Sequence, residues 1–174
     1  MALAICLLFD DRADAALRRL WDRLEDAGIA SLATHTHGRH VPHLSYASLL
    51  SADREAVLEA LHRVPARDEV TLHLDAFGTF RRSRCWLAPA VTPDLAERQA
   101  TVAEAAVSTG AVLHKHYAPG RWIPHVTLAP RLHLADLATV ASVVYDVLPV
   151  AARVTRAALV DTSTGDREQL PRLL

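Results

Sequence analysis

A chain of 174 residues, 51% apolar and 22% charged, has the composition of an ordinary folded domain, long enough for one well-buried core or two intimately packed lobes. Its formal net charge of −1 excludes attraction of the whole molecule to nucleic acid, so an anionic partner must be met by a local patch. The only two cysteines, Cys6 and Cys85, sit in apolar runs and form no disulfide framework, which points to a reducing, cytoplasmic setting, and no run approaches the length of a membrane span.

Ala2–Phe9 is apolar, lacks a basic start and runs into Asp10-Asp11, so it reads as a first strand rather than a signal peptide. Asp11–Ala27 is amphipathic, with Ala13, Ala16, Leu17, Leu20, Trp21 and Leu24 at three- and four-residue spacing, and Gly28 is placed to end the helix. A strand His43–Leu50 follows, whose alternation puts His43, Ser45 and Ala47 on one face. The pattern then predicts a helix over Ala52–Arg63, capped by Ser51, and a strand over Val70–Ala76. The same order begins again at a strand over Arg84–Val91. A helix over Pro93–Thr109 has Thr92 as its cap and Pro93 in its first turn, with Gly110 beyond its end. Next come a strand over His125–Leu132, a helix over Ala135–Val147 and a strand over Ala152–Val160. The polar tail after Thr162 is expected to add an edge strand.

That repetition has a fixed offset of 82 residues. Gly38-Arg39-His40-Val41-Pro42-His43-Leu44-Ser45-Tyr46-Ala47 aligns without a gap on Gly120-Arg121-Trp122-Ile123-Pro124-His125-Val126-Thr127-Leu128-Ala129. Gly, Arg, Pro, His and Ala are identical, and Ser45 faces Thr127, one hydroxyl for another. The expected fold is therefore a single α+β domain of two pseudo-symmetric lobes from an internal duplication, about 1–83 and 84–174. Antiparallel sheets flanked by helices would surround a central cleft.

Two opposed histidines can act together as general base and general acid near neutral pH. Hydroxyls two residues on share their face and can donate to the non-bridging oxygens of a phosphate held between them, where charge grows during displacement. The charge distribution suits such a guest, since segments 27–52, 76–93 and 105–135 contain no Asp or Glu. They carry Arg39, Lys115, Arg121, Arg131 and, between Phe77, Phe80 and Trp86, the cluster Arg81, Arg82 and Arg84. A basic patch interleaved with aromatics suits a phosphate and a stacked base. Metal-free phosphodiester cleavage is the leading reaction class.

His43-Leu44-Ser45-Tyr46 and His125-Val126-Thr127-Leu128 resemble the paired His-x-Thr/Ser-x motifs of the 2H phosphoesterases, a superfamily that includes LigT-like 2′-5′ RNA ligases and 2′,3′-cyclic phosphodiesterases. The resemblance spans the chain. It implies a metal-free cleft between two lobes, and hydrolysis of 2′,3′-cyclic phosphates or the cleavage and ligation of 2′-5′ links in RNA, with RNA ends or nucleotides as partners. By motif position, His43 and His125 would transfer protons, His43 as acid and His125 as base, while Ser45 and Thr127 hold the phosphate. Phe77-Gly78-Thr79-Phe80 is similar to a family segment in which an aromatic stacks on a base, which makes Phe80 the candidate. Arg39, Arg121, Tyr46 and Tyr117, in or beside the motifs, are the remaining candidate substrate contacts. Ser45 in place of Thr keeps the hydroxyl but loses the methyl that restricts its rotamer.

Two other readings compete. A non-catalytic nucleotide or RNA-end binding module would need no acid–base pair. A metal protein would use His35, His37, His40 and His43, or His114 and His116. Alternate residues of a loop seldom converge as four ligands, and neither cysteine is near either cluster, so no metal and no cofactor are expected.

Overall fold

An amphipathic helix follows the first strand of each repeat, and a side chain takes a free amide at the start of both. The computed structural model describes residues 2–81 and 84–174. In chain order its main elements are β1 (Leu3–Phe9), α1 (Asp11–Asp26), β2 (His43–Ser51), α2 (Arg54–Arg63) and β3 (Val70–Thr79), then β4 (Cys85–Pro89), α3 (Pro93–Val107) and the short β5 (Val112–Leu113). They end with β6 (Val126–Ala129), α4 (Leu137–Tyr145), β7 (Val150–Asp161) and β8 (Arg167–Gln169). The Asp10 carboxylate accepts the Ala13 amide at 2.9 Å, and the Thr92 hydroxyl accepts that of Leu95 at 3.1 Å. Gly28 (φ +80°) and Gly110 (φ +84°) lie in the left-handed region just beyond α1 and α3, as their positions in the repeat predict.

Several boundaries differ from the sequence reading by a few residues, three of them for evident local reasons. Asp53, not Ser51, caps α2 by accepting the Ala56 amide at 3.1 Å; Ser51 stays in β2 because β5 pairs there. The second motif strand stops at Ala129, ahead of Pro130, which has no amide to offer a ladder. A 3₁₀ turn, Leu134–Asp136, precedes α4. The tail does add an edge strand, β8, which pairs with the end of β7.

All eight strands join one antiparallel network, in which β1, β2, β6, β4, β3 and β7 pair in that order and β7 returns to β1. The halves of the sequence exchange their last strands: β3 lies beside β4, and β7 beside β1. Helices cross over as well, α1 packing on α4 and α2 on α3. Two of the ladders that join the halves contain pairs of equivalent residues, Leu44 with Val126 and Thr71 with Arg153. Each pair is separated by the same 82-residue offset that aligns the motifs, so the local twofold runs through both.

The core fills this ring from both halves. Leu17, Leu20, Trp21 and Leu24 of α1 and Val102, Ala103 and Ala106 of α3 are buried, as are Leu3, Ile5 and Leu7 of β1. Cys6 and Cys85 are buried and unpaired. Among the described residues, no helix is long and apolar enough to cross a membrane.

Leu44 is fully buried where the two halves meet. Leu44→Ala is expected to cost about 2–5 kcal/mol of folding stability. Equilibrium urea unfolding measures it, and a loss below about 1 kcal/mol would contradict this account of the seam.

Candidate active site

The bridge between Leu44 and Val126 arranges the motifs. Both side chains are fully buried, so the residues on either side of each point to the opposite face of the sheet. Continued by one residue each way, the antiparallel register sets His43 across from Thr127, and Ser45 across from His125. Each histidine thus lies opposite the hydroxyl residue of the other half. All four side chains line a cleft of about 300 Å³, together with Cys6 and Leu8 of β1, Arg84, Tyr117 and Arg167.

The two imidazoles are held alike. His43 Nδ1 lies 2.7 Å from the Val41 carbonyl, and His125 Nδ1 lies 2.7 Å from that of Ile123. A carbonyl only accepts, so each Nδ1 carries a hydrogen, and Nε2 is the nitrogen left for chemistry. Pro42 and Pro124, between each histidine and its carbonyl partner, hold the preceding residue in the extended conformation that turns this carbonyl back. Indoles from the opposite halves brace the hydroxyl residues: Trp122 Nε1 donates to the Ser45 carbonyl at 3.1 Å, and Trp21 Nε1 to the Thr127 carbonyl at 3.3 Å. Gln99 of α3 donates to the carbonyls of both Tyr46 (3.0 Å) and Tyr117 (2.8 Å), tying β2 to the segment ahead of the second motif.

Ser45 has a polar neighbour on β1. Cys6, directly across the β1–β2 ladder, places Sγ 3.5 Å from Ser45 Oγ. Burial pushes the Cys6 thiol up to about 11, against the Ser45 contact, so it keeps its proton. The Tyr117 hydroxyl is pushed up to about 12 by burial, with Cys6 adding to the rise while Arg84 and Ser45 oppose it.

Desolvation favours the neutral form of both histidines. Burial pushes His125 down to about 4, against the pull of its Ile123 hydrogen bond and with His43 and Arg84 adding to the fall. Burial lowers His43 in the same way, opposed by its Val41 bond and reinforced by Arg167. One arginine therefore stands near each imidazole.

The remaining candidates divide. The Phe80 ring stands edge-on to His125 at 4.9 Å and lies 5.0 Å from Trp86, while Tyr117 is 6.3 Å from His125; Tyr117 lines the cleft, whereas Phe80 packs against His125 without lining it. Arg39 reaches the cleft, but its guanidinium is ion-paired to Asp166 at 2.9 Å. Arg121 is exposed and does not line the cleft. Tyr46 is fully buried on the other face of β2, 5.9 Å from Trp122; strand alternation turns it away from the substrate side, and it is not a substrate contact. Arg82 lies outside the described residues. The sequence reading did not single out Arg167, because only the β7–β8 hairpin brings the polar tail back to the cleft. Arg84 was visible only as one member of a basic cluster.

A duplicated α+β fold with a histidine and a hydroxyl from each half on one cleft is the architecture of the 2H phosphoesterases. The sequence profile of the 2′-5′ RNA ligase superfamily matches residues 9–166, and the chain belongs to that superfamily. Its fold is similar to that of apo LigT from E. coli, at 20% identity and a TM-score of 0.64, covering 97% of this chain and 94% of that one. Similar too are TT0787 of Thermus thermophilus (17% identity, TM-score 0.62, 99% of both chains) and Usb1 of Kluyveromyces marxianus (12% identity, TM-score 0.52, 98% and 97%). No curated protein matches the chain significantly by sequence.

The half-buried, desolvated imidazoles tie stability to pH. His40, another cleft residue, is also pushed down to about 4, by burial first and then by His37, His43 and His35. These groups sit below their usual 6.5 in the fold and regain it on unfolding, so the unfolded chain binds more protons as pH falls. Their contribution is complete above about 6.5 and drains away towards about 4. The urea midpoint is expected to fall between pH 7.5 and pH 5, and to fall less in His40→Asn, which does not titrate. A midpoint that holds or rises over that interval contradicts this.

Proposed function

We propose that the chain is a metal-independent phosphodiesterase of the 2H type. It would hydrolyse 2′,3′-cyclic phosphates or 2′-5′ phosphodiester bonds of RNA or nucleotides, with 2′-5′ ligation as the reverse reaction at the same site. The observation that carries this reading is the identical restraint of two imidazoles, each with Nδ1 committed to a carbonyl and Nε2 left for proton transfer at one cleft. Nucleotide and phosphate ligands are consistent with it: LigT of E. coli has been crystallised with phosphate, 3′-AMP, ATP and NADP+. The chain works as one unit, since each half supplies one histidine and one hydroxyl. Two buried thiols that stay reduced suit a cytoplasmic setting.

In the proposed hydrolysis, Ser45 and Thr127 donate to the non-bridging oxygens and hold the phosphorus between the imidazoles. Arg84 and Arg167 add positive charge from either side. His125 Nε2 takes a proton from water as its oxygen bonds to phosphorus. The opposite phosphorus–oxygen bond breaks, and His43 Nε2 protonates the departing ribose oxygen. The products are a phosphomonoester and a free hydroxyl. His43 must be an imidazolium to do this, and the negative charge of the bound diester offsets the burial that lowers it. Phe80 and Tyr117, beside His125, flank the nucleoside.

Hydrolysis of a nucleoside 2′,3′-cyclic phosphate in EDTA tests the reading. The rate is expected to be unchanged by chelation and to fall about 10²–10⁴-fold in His43→Ala and in His125→Ala. Loss of activity with EDTA would remove the metal-free mechanism; nucleotide binding without turnover would favour a binding module instead.

Because both imidazoles titrate below 6.5, the profile of kcat/KM against pH is expected to peak on the acid side of that value. The base is lost as His125 protonates, and the acid as His43 loses its proton. A maximum at pH 7.5 or above would show that the free enzyme does not hold these groups as described.

A further inference from the structure

Three more histidines, His35, His37 and His40, line the cleft on the His43 side and have no part in the proton transfers above. Two left-handed residues fold their segment into a tight zigzag, Thr36 at φ 49° and Gly38 at φ +65°. A threonine in that region is strained, so the surrounding contacts must hold it there. The Thr36 hydroxyl shares a hydrogen with His40 Nε2 at 3.0 Å, and the Arg39 amide donates to His37 Nδ1 at 3.0 Å.

The segment is also clamped on the β7–β8 turn. Arg39 pairs with Asp166 at 2.9 Å and donates to the Thr164 carbonyl at 3.2 Å, while Arg167 donates to the Arg39 carbonyl at 3.1 Å. Gly165 lies against the His37 ring so closely that an added Cβ would come within 2.5 Å of it. In this setting the rings group around His40. His35 is stacked with it at 6.0 Å and 22°, and His37 lies 4.2 Å away at 34°.

His40 Nε2 and His37 Nδ1 are already bonded to the Thr36 hydroxyl and the Arg39 amide, so these two nitrogens are not offered to a metal. Among the described residues, no group of three His, Cys, Asp or Glu is placed to hold a metal ion. What such a row does offer is continuation by one more flat ring. Imidazoles serve as stacking partners for unpaired bases in the same way as other aromatic side chains. The cleft therefore carries rings on both sides of the phosphate position: Tyr117 beside His125, which Phe80 and Trp86 pack against, and the histidine row beside His43.

We propose that His35, His37 and His40 form a second nucleobase subsite, so that the preferred substrate is a phosphodiester with a nucleoside on each side rather than a cyclic mononucleotide. This rests on the phosphodiesterase reading and adds to it a substrate class and the residues that select it. Arg39 becomes a positioning residue, holding the histidine segment through Asp166.

The test compares kcat/KM for a 2′-5′-linked dinucleotide and a nucleoside 2′,3′-cyclic phosphate in the wild type, His40→Ala and His40→Phe. His40→Ala is expected to lose about tenfold on the dinucleotide, the order of one base stack, and less than about twofold on the cyclic phosphate, which also shows that the variant is folded. His40→Phe, which keeps a ring but no nitrogen, is expected to restore the dinucleotide rate. Equal losses on both substrates, no loss on the dinucleotide, or no rescue by phenylalanine would each overturn the inference and leave the phosphodiesterase reading standing. Stoichiometric zinc in the wild type, lost in both variants, would assign the histidines to a metal and overturn it too. If neither substrate is turned over, the same pattern is expected in dinucleotide affinity by calorimetry. Absence of both turnover and binding would remove the phosphodiesterase reading along with this one.

Discussion

The cleft depends on one backbone bridge, that of Leu44 with Val126. It joins two equivalent residues of a duplicated sequence, so whatever one half presents beside it the other presents in reverse. Two short motifs become one four-cornered arrangement, in which each histidine lies opposite the hydroxyl residue of the other half. The exchanged strands make that bridge hard to shift. β3 and β7 each pair with the first strand of the other half and with one another, and their mutual ladder carries the same twofold through Thr71 and Arg153. Sliding one motif strand against the other would break the register of the whole ring.

Burial then sets the chemistry. The imidazoles are desolvated and anchored through Nδ1, which keeps them neutral until an anion enters. The arginines near them, Arg84 and Arg167, come from non-equivalent places, the approach to β4 and the tail hairpin. The twofold governs the paired histidines and hydroxyls but not what surrounds them. One side carries Phe80, Trp86 and Tyr117, the other the histidines held on the β7–β8 turn. Symmetry at the paired motifs and asymmetry around them suit the proposed reaction, in which proton roles are interchangeable and the substrate is directional. Ser45 shows the same division on a smaller scale, since its contact across the ladder is Cys6 whereas Thr127 faces Trp86.

The elements and the motif pairing were legible in the sequence because each rests on local signals. Apolar periodicity marks α1, alternation marks β2, and Thr92 with Pro93 marks the start of α3. Boundaries slipped where a partner from elsewhere decided them, as when β5 kept Ser51 in a strand and left capping to Asp53. Tyr46 misled because its nearness to His43 in sequence says nothing about its face; alternation, already used for Ser45, puts it in the core. Arg121 misled because a repeated residue is not thereby a repeated contact.

By itself, then, the sequence determined the strand and helix order, the duplication and the four residues that alternation and repetition place together, since periodicity and self-similarity are properties of the chain alone. Only the tertiary structure decided that the halves exchange strands, that Arg167 and the His35–His40 segment reach the cleft, and which histidine stands among the aromatics. Those outcomes depend on contacts between segments far apart in the chain, such as Arg39 with Asp166, whose energies no local pattern encodes.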